Sequence, residues 1–372
     1  MLRKIKKEYI GYIMVILSMI FYGISTPINK ILLSDLHPLI LSGWIYLTSG
    51  LLLSLSFKFN SIYEPIKVKD TPKLIIIILT GSILAPLLIF FGLMMISAFY
   101  TSLFLNFEVI FTIIIAMIFL HEKIGKRAWI GIITILMSLF LWSFLTSQMS
   151  DGSLAIPGSL LILAGCLCWA IDNNITQTLG NKSPIRITSI KGVFGGATSL
   201  LIGLFFNLEI SIKLSELFLI LFIGFFSFGL SIVFFITALK YIGTVKTSII
   251  FSSSPFVGAI VAIFLNQEVI NWLDILIFSL VLIGFLCVVT DRHIHFHRHK
   301  TLIHSHLFEK EEIHHKTITK FEKQSSEEYG IHHSLVHKHQ PFEHEHIHSH
   351  DIHHRHVHSN KNQDESRKQK QK

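Results

Sequence analysis

Within an apolar run that begins near Ile156, the chain carries Asp172, Asn173, Asn174 and Thr176. Asp172 and Thr176 are four residues apart, so on a helix they share one face with Asn173 beside them, while Asn174 turns about 200° from Asp172. A carboxylate at the centre of a membrane helix costs about 2.5–3.5 kcal/mol on insertion scales unless it meets a partner or a wet cavity. Lys191 is placed to be that partner. At a rise of about 1.5 Å per residue, Asp172 is expected roughly 12 Å from one end of its helix, and Lys191 roughly 10 Å into the next, antiparallel one. Two readings follow: a structural ion pair with the Asn side chains satisfying nearby backbone, or a substrate or proton site.

A second carboxylate, Glu108, falls near the middle of another apolar run, just after Asn106. At matching depth on a different helix stands Ser252-Ser253-Ser254-Pro255, where the proline frees a carbonyl and the serines can satisfy it. Glu108, Asn106 and Ser254 therefore read as cavity residues, Glu108 as one able to exchange a proton; helix packing is the competing reading. Ser25 and Asn29 have a weaker claim to line a cavity. Lys30 reads as an anchor that snorkels to the interface, and Glu122 and Glu268 as solvated or structural groups at helix ends.

The elements that must hold these groups are membrane helices. Of 372 residues, 51% are hydrophobic and only 15% charged, and the mean hydropathy is +0.57, far more apolar than a water-soluble domain requires. Ten runs are each long enough to cross a bilayer, near 10–33, 39–57, 74–95, 98–120, 128–147, 157–179, 185–206, 215–238, 245–265 and 272–290. The first follows a basic start, Arg3 to Lys7, but is too long for a cleaved leader and reads as a retained helix. Cys166, Cys168 and Cys287 all fall inside spans and read as packing residues.

Lysines and arginines cluster on alternate connections, before the first span and around Lys58–Lys73, Lys123–Arg127, Lys182–Arg186 and Lys240–Lys246; the opposite connections carry only Lys213. The positive-inside rule then puts both termini in the cytoplasm of a multi-pass protein of the cell membrane. The two halves also repeat. The segment from Gly92, GLMMISAFYTSLFLNFEVIFTIIIAMIFLHEKI, aligns without a gap to that from Ala238, ALKYIGTVKTSIIFSSSPFVGAIVAIFLNQEVI. Earlier, Gly11–Tyr22 parallels Gly158–Trp169, which sets Ser25 on Asp172 and Asn29 on Thr176, and Pro38 parallels Pro184. Five helices per repeat is odd, so the second copy inserts upside down, a recurrent plan of secondary transporters.

These features, with the stretches WAIDNNIT and SPIRITSIKG, resemble the EamA family of the drug/metabolite transporter superfamily over about residues 8–290. The resemblance implies an all-α membrane protein of ten helices in two inverted five-helix repeats, 1–147 and 148–291, moving amino acids, other metabolites, drugs or sugars. The chain departs from the family pattern in two places. The usual Glu-Pro of the fourth helix is Glu108-Val109, and the arginine seven residues after the proline of the second helix is Ile45, with Lys191 at the counterpart in the seventh. A cation at that position thus survives only in the second repeat.

Beyond Asp291 the composition changes. Residues 292–372 hold all but His37 and His121 of the chain's 22 histidines, and are expected to be a disordered cytoplasmic tail. The densest stretches contain His293, His295, His297 and His299, then His344, His346, His348, His350, His353, His354, His356 and His358. Alternating imidazoles suit Zn, Ni, Co or Cu, and Glu343, Glu345 and Asp351 add oxygen ligands; a polar extension without metal is the alternative. The tail's charges nearly cancel and the net charge of +8 comes substantially from the connections, so no nucleic-acid partner is expected.

No phosphate loop, nucleophile motif or HExxH helix is present, so an enzyme has little to stand on. The reading is a secondary transporter exporting a small organic metabolite or drug-like compound around a midplane cavity, with no required cofactor and Zn or Ni as a tail ligand. The alternatives are a transition-metal transporter fed by the tail, and a membrane-embedded metal sensor that moves nothing. Against the metal transporter, no histidine falls within a span, His37 and His121 being at helix ends, and carboxylates there are sparse; the sensor would need no aqueous cavity. Oligomeric state is left open.

Overall fold

The computed structural model describes residues 2–56, 64–120, 125–147, 154–180, 182–298, 302–308, 333–339 and 343–349. Within them ten helices are long and apolar enough to cross a membrane: α1 (Glu8–Leu32), α2 (Pro38–Leu55), α3 (Val68–Met95), α4 (Ala98–Phe119), α5 (Lys126–Ser147), α6 (Ala155–Gln177), α7 (Pro184–Phe205), α8 (Leu214–Leu239), α9 (Lys246–Leu265) and α10 (Trp272–Val289). Local chemistry sets several starts. Pro184 opens α7 at a position where no amide donor is needed, and the Ser183 hydroxyl accepts the Arg186 N–H at 3.4 Å. Ser97 caps α4 by accepting from the Tyr100 N–H at 3.2 Å.

α3 begins six residues before the sequence places it. Lys69, Asp70 and Lys73 make that turn too polar to read as membrane, yet Val68–Asp70 forms a 3-10 turn because the Asp70 carboxylate accepts the Lys67 N–H at 2.9 Å.

The helices pair across the two halves: α2 on α7, α3 on α6, α5 on α10, α1 on α8, and α4 on both α6 and α9. The α2–α7 crossing depends on absent side chains. A Cβ on Gly192 would come within 2.7 Å of the Gly50 backbone, and one on Gly196 within 2.6 Å of the Gly43 carbonyl. Small residues let helix backbones approach in lipid, where no hydrophobic drive joins them.

Several helices are irregular, and four of the irregularities match between repeats. α3 has a π-helical stretch at Ile78–Leu84 and α8 one at Ile223–Leu230. α4 breaks between Phe104 and Phe107, and α9 between Phe251 and Ser254, where Pro255 follows. α1 breaks at Ile24.

After α10, four seven-residue stretches of the tail are extended: β1 (Arg292–Arg298), β2 (Leu302–Phe308), β3 (His333–His339) and β4 (Glu343–Ser349). β1 pairs antiparallel with β4 and β2 with β3, setting His293 opposite His348, His295 opposite His346 and His297 opposite His344. The two-residue period of an extended chain suits the alternating His-X pattern of these stretches. His299, His350, His353, His354, His356 and His358 lie outside the described residues.

Candidate functional site

A cavity of about 640 Å³ lies between α1, α4, α6, α7, α8 and α9, beside the breaks of α4 and α9. It is bounded by Tyr22 of α1, Glu108 and Thr112 of α4, Asn173, Thr176 and Gln177 of α6, Thr188 and Lys191 of α7, Phe235 of α8, and Ser248, Ser252 and Ser254 of α9. It runs past Leu179, Gly180 and Lys182 to the α6–α7 connection, on the face that carries the basic connections. Most of the remaining wall is apolar: Leu105, Val109, Ile187, Ile232, Ile236, Leu239 and Phe251.

Two polar pairs organise it. Asn173 Nδ2 donates to Glu108 Oε1 at 2.8 Å, joining α6 to α4. Lys191 Nζ donates to Asp172 Oδ2 in an ion pair, while Thr176 Oγ1 donates to the other carboxylate oxygen at 3.0 Å. Lys191 faces the cavity; Asp172 stands behind it, 5% exposed and not part of the lining. The depth argument therefore found the pair, but of the two only the lysine lines the cavity. Asn174 turns the other way, and its amide donates to the Ala170 carbonyl at 2.9 Å and the Thr112 carbonyl at 3.2 Å, a backbone-satisfying role.

Gly81 positions Asp172, and the sequence reading missed it. It lies in the π-helical turn of α3, where its carbonyl accepts from Trp169 Nε1 at 3.0 Å and the Tyr46 hydroxyl at 3.1 Å. A Cβ at Gly81 would overlap the Asp172 carboxylate. Gly81→Ala is expected to cost about 1–3 kcal/mol through overpacking and to slow transport, with an effect that is non-additive with Asp172→Asn because the two share one contact. Melting temperature and initial transport rate of the single and double variants measure this. Nothing in the local sequence marks Gly81. Thr188, by contrast, was within reach, being three residues before Lys191 on the same face of α7.

Other expected site residues are placed differently. Asn106 is 1% exposed in the break of α4 and donates to the Leu103 carbonyl at 2.8 Å; it satisfies freed backbone instead of lining the cavity. Ser254 does line it, at the break of α9. Ser25 and Asn29 border a separate space of about 20 Å³, room for about one water, divided from the large cavity by Tyr22, which borders both. Lys30 does not snorkel: its ammonium donates to the Leu93 carbonyl at 2.6 Å and the Ile96 carbonyl at 3.0 Å. Glu268 accepts the N–H groups of Ala98 at 2.7 Å and Phe99 at 3.1 Å. Glu122 lies outside the described residues.

At the basic face, Lys182 is buried between Glu64 at 3.1 Å and Asp70 at 3.4 Å, tying the α2–α3 connection to the α6–α7 connection beside the cavity. At the far face, Lys213 pairs with Asp35 at 2.8 Å, and the hydrogen bond and charge of Lys213 hold the Asp35 carboxyl below its usual range. Both partners are well exposed, so the pair adds little to stability. Among the described residues no group of three or more His, Cys, Asp or Glu is arranged to hold a metal ion.

A model of the EamA-like transporter family matches residues 9–144 and again 156–290. The chain belongs to the EamA-like transporter family. It is a multi-pass membrane transporter, and both halves of the bundle are copies of the family unit. Two similar proteins carry the same broad description. An uncharacterized transporter of Methanothermobacter thermautotrophicus is 29% identical over 273 residues, 69% of this chain and 80% of that protein. The uncharacterized transporter YyaM of Bacillus subtilis is 24% identical over 257 residues, covering 68% of this chain and 84% of that protein. Both are described as transporters, as is the family whose model the chain matches.

Proposed function

We propose that this EamA-like protein exports a small organic metabolite or drug-like compound across the cell membrane, by alternating access about the central cavity, with both termini in the cytoplasm. The observation that carries this reading is the cavity itself. Its volume of about 640 Å³ falls in the range of about 300–1,000 Å³ typical of small-molecule sites. Its wall is mainly apolar, with Lys191, Glu108 and a few hydroxyl and amide groups to orient a guest. The basic connections mark the face it reaches as cytoplasmic by the positive-inside rule, which is the loading side for an exporter.

The second reading, transition-metal transport, is favoured by the tail histidines and disfavoured by the cavity. Its lining has one carboxylate, Glu108, and neither histidine nor cysteine, a poor ligand set for zinc or nickel. We assign the tail a separate task, binding zinc or nickel at the cytoplasmic side without taking part in translocation. It begins after the last span and is too polar to enter the bilayer.

A thermal-shift screen on the purified full chain, covering amino acids, nucleosides, sugars and divalent metals, tests both assignments when repeated on a chain truncated after Asp291. An organic compound is expected to raise the melting temperature equally with and without the tail, and to be transported by both in vesicles. Truncation is expected to erase zinc or nickel binding in calorimetry. In the full chain that binding weakens as pH falls from about 7.5 to 5.5, because imidazole must be neutral to ligate and its ordinary pKa is about 6.5. If metals alone stabilise the protein and truncation abolishes their transport, the metal-transporter reading replaces the organic one.

A further inference from the structure

We infer that Lys30 is a latch that holds the transporter at rest with its cavity open to the basic face, and that the neutral residue at the matching place in the second repeat, Gln177, is why this state is preferred to its mirror image. The inference rests on the alternating-access reading above.

Two side chains pin the connection between α3 and α4 at the far face. Lys30, in the last turn of α1, donates to the carbonyls of Leu93 at 2.6 Å and Ile96 at 3.0 Å. These are carbonyls that a helix end leaves without intrahelical partners, and a cation there also meets the negative end of the helix dipole. Glu268, just after α9, accepts the first N–H groups of α4, from Ala98 and Phe99. The hairpin is thus gripped by a cation from the first repeat and an anion from the second. Behind it lies the small space of about 20 Å³ beside Ser25 and Asn29.

The inverted repeat says what the opposite closure would use. The register that sets Ser25 on Asp172 and Asn29 on Thr176 sets Lys30 on Gln177, and the register from Gly92 sets Leu93 and Ile96 on Leu239 and Ile242. Gln177 and Leu239 both line the large cavity in the present state. Closing the basic face by the same movement would bring Gln177 to the carbonyls at the end of α8 as a neutral amide. Glu268 aligns with another glutamate, Glu122, so the cationic arm is where the two halves differ. A charge-assisted hydrogen bond is roughly twice as strong as a neutral one, so the far face is the one that stays shut.

The test uses the full chain with Cys166, Cys168 and Cys287 replaced by Ser, carrying either Ser25→Cys behind the far-face closure or Ser252→Cys in the large cavity. A membrane-impermeant maleimide is applied from each side of reconstituted vesicles. With Lys30 present, position 252 is expected to label rapidly from the basic face and position 25 slowly from the far face. Lys30→Gln should speed labelling at 25 by about tenfold, the factor for losing roughly 1.4 kcal/mol of preference, and slow it at 252. Lys30→Arg should behave like the parent. Gln177→Lys should shift both rates in the same direction as Lys30→Gln, and the exchange of the two residues should reverse the resting preference. Parental rates at both probes in a Lys30→Gln protein of unchanged melting temperature would overturn the latch. Probes that respond to a transported compound but not to Lys30→Gln sink the latch alone; probes that respond to neither sink alternating access with it.

Discussion

Asp172→Asn is expected to abolish transport while the protein still inserts and folds. Lys191 faces the cavity only because Asp172, buried behind it and bonded by Thr176, holds its ammonium. An amide at 172 keeps the shape and the Thr176 contact but no longer neutralises or aims the lysine. The lysine can still draw on water in the cavity, so the fold survives. Lys191→Ala is the more damaging change to stability, because it leaves the Asp172 carboxylate buried with no cation beside it; breaking a buried pair in this way costs about 3–5 kcal/mol. Neutralising Asp172 in that background should restore most of the loss in melting temperature and part of the transport. A double-mutant cycle read both by melting temperature and by flux into vesicles separates the two effects. Transport at the parental rate by the Asp172→Asn protein would reduce the pair to a structural role.

Glu108→Gln is expected to remove the pH dependence of transport. Glu108 meets the cavity just after the break of α4, and its carboxylate accepts from the Asn173 amide; among the described residues no lysine or arginine forms an ion pair with it. A carboxyl group that faces the cavity can take up and release a proton, which is the chemistry proton coupling needs. Glutamine has the size and hydrogen-bonding capacity of the neutral acid, so the Asn173 contact can persist, and the melting temperature should change by no more than a conservative replacement requires. Flux measured across a series of pH values with a fixed substrate gradient gives the answer: a flat profile is expected, and a profile that still follows the parent places coupling elsewhere.

The fold was largely legible because apolar run lengths and alternating basic connections are imposed by the bilayer and not by distant contacts. The early start of α3 escaped detection since its first turn is polar and is held by the Asp70 carboxylate, which accepts the Lys67 N–H and pairs with the distant Lys182. Within the site, Asp172 and Lys191 could be paired because consecutive antiparallel helices make depth calculable from residue number. The bond from Asn173 to Glu108 could not, since it depends on which faces of α4 and α6 meet. Lys30 was misread for a related reason: a lysine near a helix end looks the same in sequence whether it reaches for lipid headgroups or for the carbonyls of a neighbouring helix. Asn106 was misplaced because a polar residue beside a carboxylate suggests a shared site, whereas its side-chain amide turns back to the Leu103 carbonyl of its own helix.

The paired irregularities of the bundle bear on where the protein came from. The π-helical stretches of α3 and α8 and the breaks of α4 and α9 occur at corresponding places in two segments whose sequences have otherwise drifted far apart. A π-helical turn is rare and gathers at functional positions, so independent acquisition at the same two places in each half is the less economical history. Matching irregularities of this kind are what duplication of a five-helix unit that already carried them would leave, the two copies being inserted in opposite directions. Two copies in one chain can differ where identical subunits cannot, and here Lys191 and Asp172 stand in one half while Ile45 and Ser25 occupy the matching places in the other.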